Sequence, residues 1–310
     1  MKQLVKPQRS PGRRVTVVFN PASGAGRGRR LADRAALRLS DAGHTPTVIE
    51  SARVYSSDHA EQIFDETELV VVCGGDGTLR GLLEPLSQTA TPVYMLPTGN
   101  ESLFARAFSM SRCTSEMCQA IDGWHVARHY FGRVNGQPFF TMASIGLDSE
   151  VVHMLHEDRT GPIGHHGYVM PTVRALFRHR VPILSVSVDG KPAVVRTKGY
   201  FIASNTREYA LRIHFVPEAS SEAPRLYARF LPCRSTLGWF QWIIRARCGL
   251  IGNATSAPLL EGEEFSVSVD GGPAVYVQAD GDPAGGTPAT ISSSGEFISV
   301  LVQSSKERCS

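Results

Sequence analysis

Residues 68–86 read ELVVVCGGDGTLRGLLEPL. One acid, Asp76, is set among Gly74, Gly75 and Gly77, and Thr78 follows. The chemistry those residue types offer is anion binding. Glycines let backbone N–H groups approach a phosphate, and a following helix N-terminus adds positive potential. An acid in such a turn can orient a ribose or hold Mg²⁺ through water. Two further turns have the same character. VTVVF runs into Asn20-Pro21-Ala22-Ser23-Gly24, and PVYML runs into Pro97-Thr98-Gly99-Asn100, with Glu101 next. Any one of them reads as an ordinary structural turn. Three at the carboxyl ends of strands point to a shared ligand, because that is where open α/β sheets bind. Arg27, Arg29 and Arg30 behind the first turn either face phosphate or start a solvated helix.

A second set of acids lies near the C-terminus. Asp-Gly-x-Pro occurs three times, beginning at Asp189, Asp270 and Asp280. Asp-Gly between alternating strands is a standard hairpin turn, and that reading suffices for the first two. The third carries a second acid, Asp282, followed by GGTPATI.

The elements around these residues fall into two textures. Up to about residue 110 strands and helices alternate. Apolar runs at 15–19, 45–51, 69–73 and 92–96 are separated by helical patterns at 31–43, 57–66 and 78–86, with another at 101–108. Such strands argue a parallel sheet covered on both faces. From about 134 onward, alternating runs between turns predict an antiparallel sandwich. The stretch 237–252, LGWFQWIIRARCGLIG, is amphipathic. It is read as a core helix, as one wall of a lipid pocket, or as an interfacial helix with Arg245 and Arg247 at headgroups.

Composition narrows the class. The chain has 310 residues and a formal net charge of +3, which does not demand nucleic acid. Cysteines at 73, 113, 118, 233, 248 and 309 show no paired metal spacing, which fits a reduced cytosolic protein. No apolar run reaches the roughly 18–20 residues of a spanning helix, and the basic N-terminus lacks the apolar core of a signal peptide. Residues 1–13 are read as a disordered basic tail. The His- and Arg-rich stretch 156–180 is read as a loop and helix near a lipid entrance, not as a zinc site. Known phosphate motifs are missing: there is no G-x-x-x-x-G-K-[ST], and GAGRGR (24–29) misses the dinucleotide spacing by one residue.

FNPASGAGRGR (19–29), VVVCGGDGTLRGLLEPL (70–86) and LPTGNESLFARAF (96–108), in that order and spacing, resemble the diacylglycerol kinase catalytic-domain family of lipid kinases, which includes sphingosine kinases. The resemblance implies an N-terminal α/β domain of the NAD-kinase and phosphofructokinase type with a parallel sheet (14–133). A C-terminal antiparallel β-sandwich would bind the lipid (134–303), its last strand returning to the first domain, and 304–310 would be a tail. It implies ATP and Mg²⁺, with Asn20, Pro21, Ser23, Gly24, Gly74, Gly75, Asp76, Gly77, Thr78, Gly99, Asn100 and Glu101 at the nucleotide and Asp76 toward the metal. The third Asp-Gly quartet resembles the family's Asp-Gly-Glu turn that supplies the catalytic base. Asp282 and Asp280 are therefore the expected catalytic pair, both reaching one cleft.

The chain departs from the family pattern in places. Where members read Gly-Thr-x-Asn-Asp, this chain has Asn100 for the threonine, Ser102 for the asparagine and Leu103 for the acid. Ala223 and Pro224 stand where members place the Asp-Gly of a structural Mg²⁺ loop. Asp148 matches an acid that opens the second domain, and helix capping is its other reading. The function expected is transfer of the ATP γ-phosphate to a lipid hydroxyl, diacylglycerol first, by a cytoplasmic protein working peripherally at a membrane surface. A homodimer is left open. The alternatives are an NAD-kinase-like phosphotransferase and a non-catalytic lipid-binding protein on a decayed kinase scaffold.

Overall fold

The computed structural model describes residues 12–57, 60–99, 102–157 and 179–303. Most of the basic tail, most of the His- and Arg-rich stretch, and Asn100 and Glu101 lie outside these.

The first unit is built from β1 (Arg14–Phe19), α1 (Arg27–Asp41), β2 (Thr45–Glu50), α2 (Ser51–Tyr55), α3 (Gln62–Asp65), β3 (Leu69–Gly74), α4 (Asp76–Arg80), α5 (Leu83–Thr89), β4 (Val93–Pro97), α6 (Leu103–Ala107) and α7 (Thr114–Gly123). The four strands are parallel, in the spatial order β4-β3-β1-β2. Every residue of β3 is buried, as its β-branched run requires in a sheet covered on both faces. Helix α1 lays Leu31, Ala32, Ala35 and Leu39 against the sheet at helical spacing.

The helices differ from the sequence reading in several places: α2 and α7 are not expected from it, and of the helix expected over 57–66 the described residues place only 62–65 in α3. Helix α1 starts four residues earlier than 31, because Gly24, Ala25 and Gly26 take left-handed conformations that turn the chain straight into it. The helix expected over 78–86 is broken at residues 81 and 82. The Tyr55 hydroxyl donates to the Thr78 carbonyl at 2.9 Å, the acceptor a continuous helix would give to Leu82. The Leu82 N–H bonds the Leu79 carbonyl instead. The Tyr55 ring also occupies the space that a side chain at Gly81 would need.

The second half continues with β5 (His125–Val134), β6 (Gln137–Phe139), β7 (Met142–Ile145), α8 (Leu147–Glu157), β8 (Ile183–Val188), β9 (Lys191–Ser204), β10 (Leu226–Pro232), α9 (Leu237–Arg247), β11 (Leu259–Gly262), β12 (Glu264–Val269), β13 (Tyr276–Ala279), β14 (Asp282–Gly286) and β15 (Ala289–Val302). Here the long strands pair antiparallel. The first part of β9 pairs with β8, and its second part passes between β7 and β10. Phe139, Phe201, Phe265 and Ile291 fill the interior. Helices α8 and α9 cover a second apolar layer containing Tyr200, Ile202, Phe215, Trp239 and Trp242.

Strand β15 joins the halves. It pairs antiparallel with β12 and β5, and Val300 pairs with Val93 of the parallel sheet. The loop carrying Ala223 and Pro224 has its own cation: Arg229, 1% exposed, donates to Glu218 and to the Ala257 carbonyl. Among the described residues no group of three His, Cys, Asp or Glu is placed to hold a metal ion, and no helix is long and apolar enough to cross a membrane.

Candidate active site

The order β4-β3-β1 sets the three glycine-bearing turns side by side, and side-chain bonds lock them together. The Asn20 N–H bonds the Cys73 carbonyl at 3.3 Å, its Oδ1 accepts from the Ala22 N–H at 3.0 Å, and its Nδ2 donates to Thr78 Oγ1 at 3.3 Å. Asn20 thus staples the first turn to the second. Ser23 Oγ lies 2.7 Å from Thr98 Oγ1, tying the first turn to the third, and the Thr98 N–H closes the set on the Gly74 carbonyl at 2.9 Å. Pro21 stands exposed at the rim, while Gly99 leaves the space in front of it open. The arginines behind the first turn divide: Arg27 folds back onto the Gly24 carbonyl, and Arg29 pairs with Asp33 on the helix surface.

Asp76 is the charged centre of this group. Ser102 Oγ donates to one carboxylate oxygen and the Leu103 N–H to the other, both at 2.7 Å. Part of the residue is open to the cleft, but the protein packed around the carboxyl pushes its pKa up to about 6, with the Asp280 charge adding to the rise. Two of the departures from the family pattern fall on these donors. Leu103 contributes through its backbone N–H, so losing an acidic side chain there leaves this bond intact. Ser102 supplies a hydroxyl and also caps α6 by accepting from the Ala105 N–H.

The β13–β14 hairpin faces the glycine turns from the other unit. Asp280 (φ 50°) and Gly281 (φ 83°) form a two-residue turn with both centres left-handed. The two acids expected to reach one cleft together diverge. The Asp280 carboxylate turns inward and accepts from the N–H groups of Phe140 (2.8 Å), Thr141 (2.9 Å) and Met142 (3.0 Å), and from the Thr141 hydroxyl. Burial raises its pKa. Asp282 points outward to Arg80, whose Nη2 lies 2.5 Å from Oδ2 while Nη1 donates to the Ala279 carbonyl at 3.0 Å. A side chain placed on Gly77 would come within 3.8 Å of Asp282 Oδ2, so this carboxylate sits against the Gly-Gly-Asp-Gly turn. Period-two alternation would put residues 280 and 282 on one face; the left-handed backbone at Asp280 and Gly281 reverses the chain between them, so the two side chains project differently.

The look-alike turns stay structural. Asp189 accepts from the N–H groups of Glu263 and Glu264, both at 2.9 Å, and Asp270 accepts from Ser185 Oγ. Asp148 does not cap α8. Ser149 Oγ takes the Gly146 N–H, while Asp148 accepts from Ser144, from the Tyr209 hydroxyl at 3.0 Å and from Gln278 at 3.4 Å.

Sequence reasoning missed Arg80, Thr98, Gln278 and the holding role of Ser102. Arg80 had a signal, since it lies four residues after Asp76 and so on the same side of a helix. Thr98 and Gln278 had none, because their partners are remote in sequence.

The site holds hard oxygen donors on both walls of a cleft and one guanidinium between them. That donor set suits Mg²⁺, which binds through one or two carboxylates together with a substrate's phosphates and not in a dedicated cage. Gly24 offers a direct test of the cradle. Its φ is +60°, and a Cβ there would fall 2.7 Å from Thr98 Cβ. If the cradle holds a nucleotide's phosphates, Gly24→Ala is expected to weaken ATP binding about tenfold or more, through backbone strain and displacement of the third turn. Isothermal titration calorimetry measures it.

The chain is similar to known proteins in sequence and in fold. Residues 14–133 match the family model described as the diacylglycerol kinase catalytic domain. The chain is 28% identical over 215 residues to a diacylglycerol kinase of Mycobacterium tuberculosis, covering 66% of this chain and 69% of that one. It is 26% identical over 187 residues to a diacylglycerol kinase of Bacillus subtilis, covering 58% and 61%. A solved diacylglycerol kinase structure from Bacillus anthracis shares the fold with a TM-score of 0.67 at 14% identity, covering 94% of this chain and 98% of that one. A second chain from that organism gives 0.73 at 17%, covering 97% and 98%. The two-unit fold is the one these solved structures share. Over residues 14–133 the chain resembles the diacylglycerol kinase catalytic domain.

Proposed function

We propose that the protein is an ATP-dependent lipid kinase that transfers the γ-phosphate to a lipid hydroxyl, with diacylglycerol as the first substrate and phosphatidic acid as its product. The observation that carries this reading is the opposition of Asp76, held by Ser102 and Leu103, to Asp282 and its Arg80 across the cleft.

The residues divide the work. The three linked turns bind the nucleotide's phosphates through backbone N–H groups. Asp76 would hold the metal that accompanies ATP, and a bound Mg²⁺ would supply neutralisation of phosphate charge. Asp280 is poorly placed as a base, because its carboxylate is turned inward and already accepts four donors, three at Oδ1 and one at Oδ2. It positions the hairpin instead. Asp282 is the group that accepts the hydroxyl proton, with Arg80 fixing its direction. Phosphoryl transfer depends mostly on positioning and electrostatics, so a base of modest strength is enough.

The experiment is a radiolabelled-ATP assay over a lipid panel that includes diacylglycerol, with NAD and a lipid-free control. Label moving to a lipid supports the reading. Label moving only to NAD replaces it with an NAD-kinase-like activity, and ATP binding without transfer to any acceptor replaces it with a non-catalytic lipid-binding role.

A further inference from the structure

Helix α9 has two apolar faces, and among the described residues only one is packed inside the protein. Trp239, Trp242 and Ala246 are buried in the outer layer of the sandwich. On the other side Leu237 (73% exposed), Phe240 (40%) and Ile244 (61%) follow each other at three- and four-residue spacing, so they form one stripe. The stripe is extended at its C-terminal end. The Gly249 N–H bonds the Ala246 carbonyl and the Leu250 N–H bonds the Arg245 carbonyl, a Schellman closure that fixes Leu250 in place at 52% exposure.

A second segment adds to the same surface. The Arg247 guanidinium donates to the Arg212 carbonyl at 3.0 Å, holding the 210–212 turn beside the end of α9. In that turn Leu211 and Arg212 both have left-handed backbones, φ 58° and 56°, and Leu211 is 64% exposed. A leucine in that conformation is uncommon, and here it buries nothing. Scattered exposed apolar residues need no explanation, but a contiguous patch marks an interaction surface.

Charge selects the partner. No Asp or Glu occurs between Glu222 and Glu261, while Arg225, Arg229, Arg234, Arg245 and Arg247 do. Arg245 and Arg247 lie about 200° apart around the helix, one on each flank of the stripe. Arg234 precedes it, and all three are exposed, with Arg245 packed over the Trp242 ring. The acids flanking the 210–212 turn in sequence are already paired, Glu208 with Arg106 and Glu218 with Arg229. An apolar stripe rimmed by arginines matches the interface of an anionic bilayer, acyl chains at the centre and headgroups at the edge.

We propose that the α9 stripe, with Leu250 and Leu211, is the surface by which this protein docks on an anionic lipid bilayer. The placement deepens the lipid-kinase reading and rests on it for its purpose. The segment 205–212 begins at the cleft, where the Asn205 N–H bonds the Thr141 carbonyl next to Asp280, and ends in the patch. Docking on this face would bring the cleft to the membrane from which a lipid must be drawn.

The test is flotation of the full chain with vesicles of phosphatidylglycerol and phosphatidylcholine, against phosphatidylcholine alone. Wild type is expected to float with the anionic vesicles only. Ile244→Ser with Leu250→Ser should lower vesicle affinity about 100-fold, about tenfold for each apolar side chain withdrawn. Arg245→Gln should lower it about fivefold at low salt and less at high salt. Unchanged circular dichroism and melting of these surface variants keep the comparison valid. The proposal is overturned if wild type ignores anionic vesicles, if the double variant floats equally well, or if the double variant only converts a dimer to a monomer in sedimentation. Diacylglycerol with short chains, dispersed in buffer, separates the two readings. Equal turnover of it by wild type and the double variant, with vesicle turnover lost only in the variant, supports docking. If no lipid is phosphorylated while flotation still depends on the stripe, docking stands and the kinase reading falls.

Discussion

Asp76→Asn is expected to abolish ATP-dependent phosphoryl transfer while the fold melts at an unchanged or higher temperature. The two halves of this result come from the same carboxyl. Its charge is what metal and nucleotide need, and its burial is what the fold pays for. The folded pKa stands at about 6 against an ordinary 3.8. The folded chain therefore binds this proton more tightly than the unfolded chain does. Between about pH 4 and 6 stability falls as pH rises, and above that the full cost remains. A shift of about two units corresponds to about 3 kcal/mol. Asparagine removes that cost and mismatches one of the two donors, which returns about 1–2 kcal/mol. Urea denaturation of wild type and variant at pH 5 and pH 7 should show the variant's stability changing less with pH. Normal turnover by the folded variant would remove this turn from the nucleotide site.

The hairpin acids should fail in different ways, although they lie two residues apart. Asp280→Ala leaves three backbone N–H groups and the Thr141 hydroxyl without their acceptor. The expected loss is about 3 kcal/mol of stability, with activity lost along with local order. Asp282→Ala should leave stability within about 1 kcal/mol, since its pairing with Arg80 is partly solvated. Its kcat should drop about 10²- to 10⁴-fold with a smaller change in KM for ATP. Asp282→Glu should keep activity, because it retains a carboxylate on the cleft side of the hairpin within reach of Arg80. Asp189→Asn and Asp270→Asn should retain turnover. Steady-state kinetics beside thermal melts reads all five. If Asp282→Ala turns over lipid normally while Asp270→Asn does not, the hairpin has been misassigned.

Some of this was legible in the chain itself. The β-branched run ending at Cys73 and the glycines after it specify a buried strand and an open turn, because burial pattern and backbone freedom are local properties. The same holds for the left-handed Asp-Gly turns at 189 and 280 and for the two-faced pattern of α9. The sequence by itself therefore determined the two textures, the three turns and the acids they carry. Tertiary structure decided what each acid does. Asp280 and Asp282 look interchangeable in the chain, and only the backbone of residues 140–142 on one side and Arg80 on the other separates them. Ser102 and Leu103 look like losses from a motif, until the fold brings their donors onto Asp76. Tyr55, with no motif around it, breaks a helix 23 residues away by taking one carbonyl. Hydrogen bonds and desolvation depend on which remote groups arrive at a site, and that is set by the packing of the whole chain and by no local stretch of it.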